Sequence, residues 1–460
     1  MAGLLFVLTM AIPAQAQAII EGGTVIVPSG PTPSPWNVGG TLIVGNADTG
    51  TLIVQNDGDV SSDQAIIGNS AGSRGEVAVT GTGSTWTTNG NQLTVGSGGV
   101  GQLSILGGGV VSSSQGSLGT LGNSEGKVIV QDAGSQWANT GELLIAVRGS
   151  GSVAVADGGS VSSVGGSIGH LAGSVGAITV TGPGSVWMNS DRVFVGNFGN
   201  GSLEISESGT VSNAAGYIGN QADSIGTVTV TGLGSSWNNG ELNVGRSGAG
   251  TLTIVNSGSV SSSTGIIGTN AGSSGAVAVD GSGSTWTNAF NLLVGSGGAG
   301  TLDIRNGGVV TNNSGYVGAQ IGSSGTVTVD GVGSQWSNAG SLTIGNFGTG
   351  ALTIANGGIV SADSGLSLGL NGGQGTVNIG AAAGNGPVAA GMLSAPSVGL
   401  DAASSSLVFN HTDTNYLFAP TLLGSGTVRH LAGTTTPPAT VIRLVAPRLS
   451  PVALLSLKAR

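Results

Sequence analysis

The stretch from Leu242 to Trp286 carries the plan of the whole chain. It opens with Leu242-Asn243-Val244-Gly245 and Gly250-Thr251-Leu252-Thr253-Ile254, then turns through Ser257-Gly258-Ser259-Val260-Ser261. It continues as Ile266-Ile267-Gly268 and Gly275-Ala276-Val277-Ala278-Val279, and closes on Gly281-Ser282-Gly283-Ser284-Thr285-Trp286. Both halves follow one scheme: a short apolar strand closed by glycine, a variable Gly/Ser/Asn stretch, an alternating strand, then a turn. Alternation of apolar and polar residues is the period of a half-buried strand. The Gly, Asn, Ser and Asp clusters between strands supply turns that need positive φ.

The same plan recurs outward from this unit. Tryptophans stand at Trp36, Trp86, Trp137, Trp187, Trp237, Trp286 and Trp336, separated by 50, 51, 50, 50, 49 and 50 residues. Apolar strands close at Gly45, Gly68, Gly96, Gly119, Ala146, Gly169, Gly196, Gly219, Gly245, Gly268, Gly295, Gly318, Gly345 and Gly369. These positions alternate between separations of 23–24 and 26–28 residues. A fixed period of this size marks a stacked-repeat architecture. Strands of three to five residues are too short to pair within a coil, but stacked coil on coil they form parallel sheets around an apolar core. The expected fold is all-β: a right-handed parallel β-helix of about 14 coils, two per ~50-residue repeat, each touching mainly its neighbours. At about 4.8 Å per strand, the rod would be on the order of 70 Å long.

Proline placement agrees, because proline cannot donate to a ladder. Between Trp36 and Gly386 there is one, Pro183, in a turn, while Pro28, Pro31, Pro33 and Pro35 fall in the first turn of the array. An end coil has an open edge to protect there. Aligning the halves places each Trp opposite the Val of a G-x-V-S turn, such as Val211 or Val260. Trp and Val then alternate up one stack, with Trp rings roughly 9.6 Å apart, too far to stack on one another. The expected role is a bulky filler at one corner of the core. An exposed aromatic ladder for glycans is the alternative.

Glycine makes up 90 of 460 residues, which without a G-X-Y period would suggest disorder. The regular strands and a hydrophobic content of 38% overrule that. Absence of cysteine excludes a disulfide framework and thiolate metal sites, and is compatible with export into an oxidising compartment. Net charge is −10, and the last 24 residues hold Arg443, Arg448, Lys458 and Arg460 with no acid. The remainder therefore carries −14 (−10 minus +4), an acidic surface unsuited to nucleic acid.

The N-terminal Leu4-Leu5-Phe6-Val7-Leu8-Thr9-Met10-Ala11-Ile12 is an apolar h-region, followed by the small-x-small sites Ala14-Gln15-Ala16 and Ala16-Gln17-Ala18. Residues 1–18 read as a signal peptide whose charged start lies upstream, since no Lys or Arg precedes Arg74. Residues 22–380 are the repeat array and 381–436 a degenerate continuation. Residues 437–460 form a basic tail without glycine.

The unit G-x-V-x-V-x-G-x-G-S-x-W-x-N, L-x-V-G, G-x-L-x-I, G-x-V-S, I-G resembles the Gly-rich repeats in passenger regions of Gram-negative autotransporters (type V secretion). The stretch Ser406–Thr436 resembles the segment that precedes the translocator barrel in that family. The resemblance covers about residues 22–436. It implies a β-helical stalk exported through the inner membrane, carried across the outer membrane by a C-terminal barrel, and displayed on the cell surface or released. A family member would continue into that barrel of amphipathic strands. This sequence stops at Arg460, and a frameshift near Thr436 is one explanation. On that reading the product would remain periplasmic.

Chemistry is sparse. G-x-S-x-G occurs at Ser70, Ser124, Ser167 and Ser367, but a nucleophile elbow needs a strand-to-helix turn and a His–acid pair. His170, His411 and His430 are scattered without zinc spacing, and His170 is expected in an exposed loop. Asp280 and Asp330 share one repeat position two coils apart, too far to share a proton or a metal. No catalytic, cofactor or metal site is predicted. The leading reading is a non-catalytic surface or secreted passenger, a stalk or adhesin whose loops contact host or matrix glycans or proteins, or other copies. The alternatives are a β-helical polysaccharide-processing enzyme, with acids clustered on one face, and a non-functional truncated product.

Overall fold

Three strands make a coil, and the coil beginning at Ser274 shows how the sequence forms them. In Ser274–Asp280, Gly275, Val277 and Val279 point inward while Ser274, Ala276 and Ala278 face out. A turn at Gly281–Ser284 leads to Thr285–Asn288, and a bend at Ala289-Phe290 leads to Asn291–Val294. Gly295, at φ 69°, then swings the chain into the long strand of the next coil, Ala299–Arg305. Every strand pairs in parallel with its counterpart one coil away: Val277 lies beside Leu302, Trp286 beside Val310, and Leu292 beside Gly315.

The computed structural model describes residues 16–29, 32–437 and 441–442. They form an all-β parallel solenoid of about 17 turns. The long strands make a ladder of 17, running from Gly23–Val27 to Thr427–Ala432. This ladder is open, since Gly23–Val27 pairs with Thr49–Val54 alone and Thr427–Ala432 with Ser406–Asn410 alone. The other two ladders are joined in one sheet where Thr210–Ile218 and Ser236–Val244 run straight through the bend. Among the described residues the one helical element is a short 3-10 turn, Leu370–Gly372. No helix there is long and apolar enough to cross a membrane.

Two expectations are corrected. The coil number exceeds 14 because strand-closing glycines mark only the central coils. Gly23–Val27 before them, and Ser406–Asn410 and Thr427–Ala432 after them, stack without that signature. The strands of the long ladder are also longer than expected, mostly seven residues, because pairing extends through glycine and the variable position before it. The segment 381–436 thus continues the stack, with Ser397–Leu400 paired to Leu366–Leu368 and Thr421–Gly424. Ala16–Ile20 pairs with Gly40–Val44, so the array begins before residue 22. Residues 1–15 of the signal segment, Pro31, and residues 438–440 and 443–460 of the basic tail lie outside the described residues. Val441-Ile442 pairs with Leu422-Leu423.

Fourteen strand-closing positions share one conformation, with φ between 58° and 73°. Thirteen are glycine, as a left-handed backbone favours. At Gly245 an added Cβ would also collide with the Ser274 carbonyl of the next coil. Ala146 takes the same conformation at φ 60° despite its side chain.

Candidate binding surface

The tryptophan column lies inside. Trp86, Trp137, Trp187, Trp237, Trp286 and Trp336 are fully buried, and Trp36, in the first coil, is half-buried. Trp237 lies between Val211 and Val260, the alternation expected from the sequence. Four of the six buried indole N–H groups bond a Ser or Asn two residues after the valine one coil earlier, while those of Trp86 and Trp187 are buried without a partner. Trp237 donates to Asn213 Oδ1 and Trp336 to Asn312 Oδ1, both at 2.7 Å. Trp137 and Trp286 reach serine hydroxyls, Ser113 and Ser262, at 3.3 Å. The asparagine two residues after each Trp from Trp137 to Trp336 extends the same ladder, as in Ser262 Oγ to Asn288 Oδ1 at 2.6 Å and Asn312 Nδ2 to Asn338 Oδ1 at 2.6 Å, while Thr88 takes that place after Trp86. Six rings buried this way provide no exposed ladder for glycans.

The candidate catalytic residues are ladder and turn elements. Ser124 donates to the Leu121 carbonyl at 2.7 Å within its own turn. Ser70 receives Ser73 Oγ on its carbonyl, and Ser367 sits in a strand between Thr343 and Gly399. Ser167 is buried, 2.9 Å from His170 Nδ1, and accepts from Asn197 Nδ2 at 3.2 Å. His170 is therefore half-buried and bonded, not exposed as the sequence suggested. Burial lowers its pKa and the charge of Glu142 opposes that shift. Asp280 and Asp330 each accept from an asparagine one coil on, Asn306 at 2.7 Å and Asn356 at 2.6 Å. Among the described residues no group of three or more His, Asp or Glu is placed to hold a metal ion.

The remaining two histidines meet at the C-terminal end. His411 packs edge-on to Phe409 and lies 6.1 Å from His430 and 5.2 Å from Tyr416, ring centre to ring centre. Its Nε2 is 2.8 Å from Thr435 Oγ1, while Nδ1 is buried without a partner. Burial lowers both histidine pKa values, against a raising effect of Asp413 on His411. Burial also pushes Tyr416 up to about 12. This cluster stands in the last coils, whereas aliphatic residues and the tryptophans fill the others.

Surface chemistry gathers on the third strands and the corner that follows them. Phe194 and Tyr217 stack at 5.2 Å, and the Arg246 guanidinium lies 4.9 Å over Tyr217 while donating to Asn220 Oδ1 at 2.9 Å. Asn220 donates to Asn197, which in turn reaches Ser167, giving one polar chain across four coils. Farther along the same corner, a trough of about 270 Å³ is lined by Ser323, Ser324, Phe347, Thr349, Gln374 and glycines. Sequence reasoning passed over these residues because they vary from coil to coil. Variation at one fixed position of a rigid repeat was the available signal.

No family model matches the sequence, and no curated protein matches it. Among solved structures it is similar to the TibC-catalysed, hyper-glycosylated TibA fragment comprising residues 55–350. The identity is 18%, over 70% of this chain and 87% of that one, with a TM-score of 0.40.

Proposed function

We propose that this chain is an exported, non-catalytic autotransporter passenger, a rigid solenoid whose corner loops present an attachment surface. The observation that carries this reading is where the sequence varies. Inward positions repeat coil after coil, whereas bends and corners change from coil to coil, as at Arg246, Phe290 and Phe347. Recognition residues on loops held by a rigid scaffold are the usual arrangement of binding surfaces. The acids support the non-catalytic part, since Asp157, Asp280 and Asp330 each serve as acceptors in coil-to-coil rungs. Export rests on the resemblance of the repeat to passenger regions and on the apolar N-terminal stretch.

Expression in a Gram-negative host followed by fractionation and antibody labelling of intact cells tests it. The protein is expected outside the inner membrane, at the surface or in the envelope. Retention in the cytoplasm with the N-terminal stretch intact would overturn the reading.

A further inference from the structure

The corner between the third strand and the next long strand carries one quartet twice, Gly196-Asn197-Phe198-Gly199 and Gly345-Asn346-Phe347-Gly348. At the equivalent place other coils have Ala47, Gly98, Arg148, Ser247 and Gly297. Both phenyl rings are 46% exposed, yet their surroundings differ. Beside Phe198 the first positions of three adjacent long strands are Val175, Asn200 and Ile225, two of them exposed apolar residues. Beside Phe347 the same positions are Ser324, Thr349 and Gln374, all exposed.

The second setting is a polar trough with one aromatic wall. Its floor is main chain and the Ser323 hydroxyl: a Cβ on Gly348 would run into the Gln320 carbonyl and Ser323, and one on Gly373 into the main chain of Gly345 and Asn346. No charged side chain lines it. Strand stacking spaces the hydroxyl, hydroxyl and amide about 4.8 Å apart along the axis. A pyranose matches this pattern, because its C–H face is apolar and electropositive and its edge carries hydroxyls. The electron-rich face of an aromatic ring attracts such a C–H face.

We propose that the trough is a subsite for a neutral saccharide, one ring lying on Phe347 and its hydroxyls bonding Ser324, Thr349 and Gln374. The absence of Arg and Lys from the lining disfavours uronic and sialic acids. This inference rests on the reading of the rod as an attachment surface. The two fail separately, since export is measured in cells and saccharide binding on purified protein.

Saturation-transfer NMR on the purified full chain provides the test. The probes are tetrasaccharides of glucose, galactose and N-acetylglucosamine, with a galacturonic acid tetramer as the charged comparison. At least one neutral tetramer is expected to bind with a Kd on the order of 1 mM, as suits an open site. Phe347→Ala and Thr349→Val should each weaken binding about tenfold. Phe347→Trp should retain it, and Phe198→Ala should leave it unchanged. Circular dichroism establishes that each variant is folded, which surface replacements permit. Binding of no neutral tetramer, equal binding of the galacturonic acid tetramer, or undiminished binding by Phe347→Ala would overturn the proposal.

Discussion

A Cβ placed on Gly265 would come within 2.5 Å of Cζ2 of Trp286, so this glycine serves as the socket for the indole. Gly116, Gly216 and Gly315 stand in the same relation to Trp137, Trp237 and Trp336. Each socket lies in the third strand of the coil before its Trp, where the chain otherwise alternates regularly. Gly265→Ala should therefore overpack the core, at a cost of about 1–3 kcal/mol. Gly386→Ala, with nothing within 4 Å, should be nearly neutral. Trp237→Ala removes a fully buried ring that donates to Asn213, and should cost roughly 3–5 kcal/mol. Denaturant unfolding of the three variants checks the order, and a neutral Gly265→Ala would refute the socket. The Trp–Val alternation was legible because both residues recur at fixed places. The sockets were not, because glycine also fills nearly every turn. Their signature was a glycine inside an alternating strand at Gly116, Gly166, Gly216, Gly265 and Gly315, spaced 50, 50, 49 and 50 residues apart.

At the scale of the coil, socket and ring make the two coil versions non-interchangeable. Deleting Met188–Trp237 removes both versions and restores every inward contact. Deleting Val211–Ser236 removes one, and sets the Trp237 coil directly on the Trp187 coil. Trp237 would then meet Val193 where it now meets Gly216, since those two residues are paired neighbours in the third ladder. The two-coil deletion should melt close to the intact chain, whereas the one-coil deletion should lose about 1–3 kcal/mol locally through overpacking. Equal melting of both variants would show that the coils are interchangeable after all.

The C-terminal coils hold two of the three histidines, His411 and His430. His411 and His430 have folded pKa values below the ordinary 6.5, so their neutral forms favour the folded state. Their contribution is complete above pH 6.5 and is lost as the pH falls below that value. The charged groups nearby are Asp413, which opposes the shift, and the exposed Arg429 on the neighbouring strand, while Tyr416 stays neutral. Hydrogen exchange, corrected for intrinsic rates, should rise in residues 406–436 between pH 7.5 and 5 and stay constant in residues 242–345. Unchanged protection at both ends would contradict this account. Nothing in the sequence announced the cluster, because its members come from separate strands that meet only once the solenoid is stacked.

For the whole molecule, period and composition carried the architecture, since a solenoid repeats one local problem and each solution shows in the sequence many times. Features that occur once, such as the Phe347 trough or the His411–His430 pair, gain no such reinforcement. Nearest-neighbour stacking also makes length a counted quantity. Sixteen intervals separate the 17 long strands, which gives a rod of roughly 77 Å at about 4.8 Å per interval. Each ~50-residue unit adds about 9.6 Å, so the Met188–Trp237 deletion should shorten the rod by that amount without changing its cross-section. Small-angle X-ray scattering measures both quantities, because the cross-sectional radius and the maximum dimension of a rod are read from separate parts of the curve. A changed cross-section, or a chain that collapses on losing one unit, would mean that contacts between distant coils hold the structure. The parallel ladders supply no such contacts, since each strand pairs only with the coil before it and the coil after it.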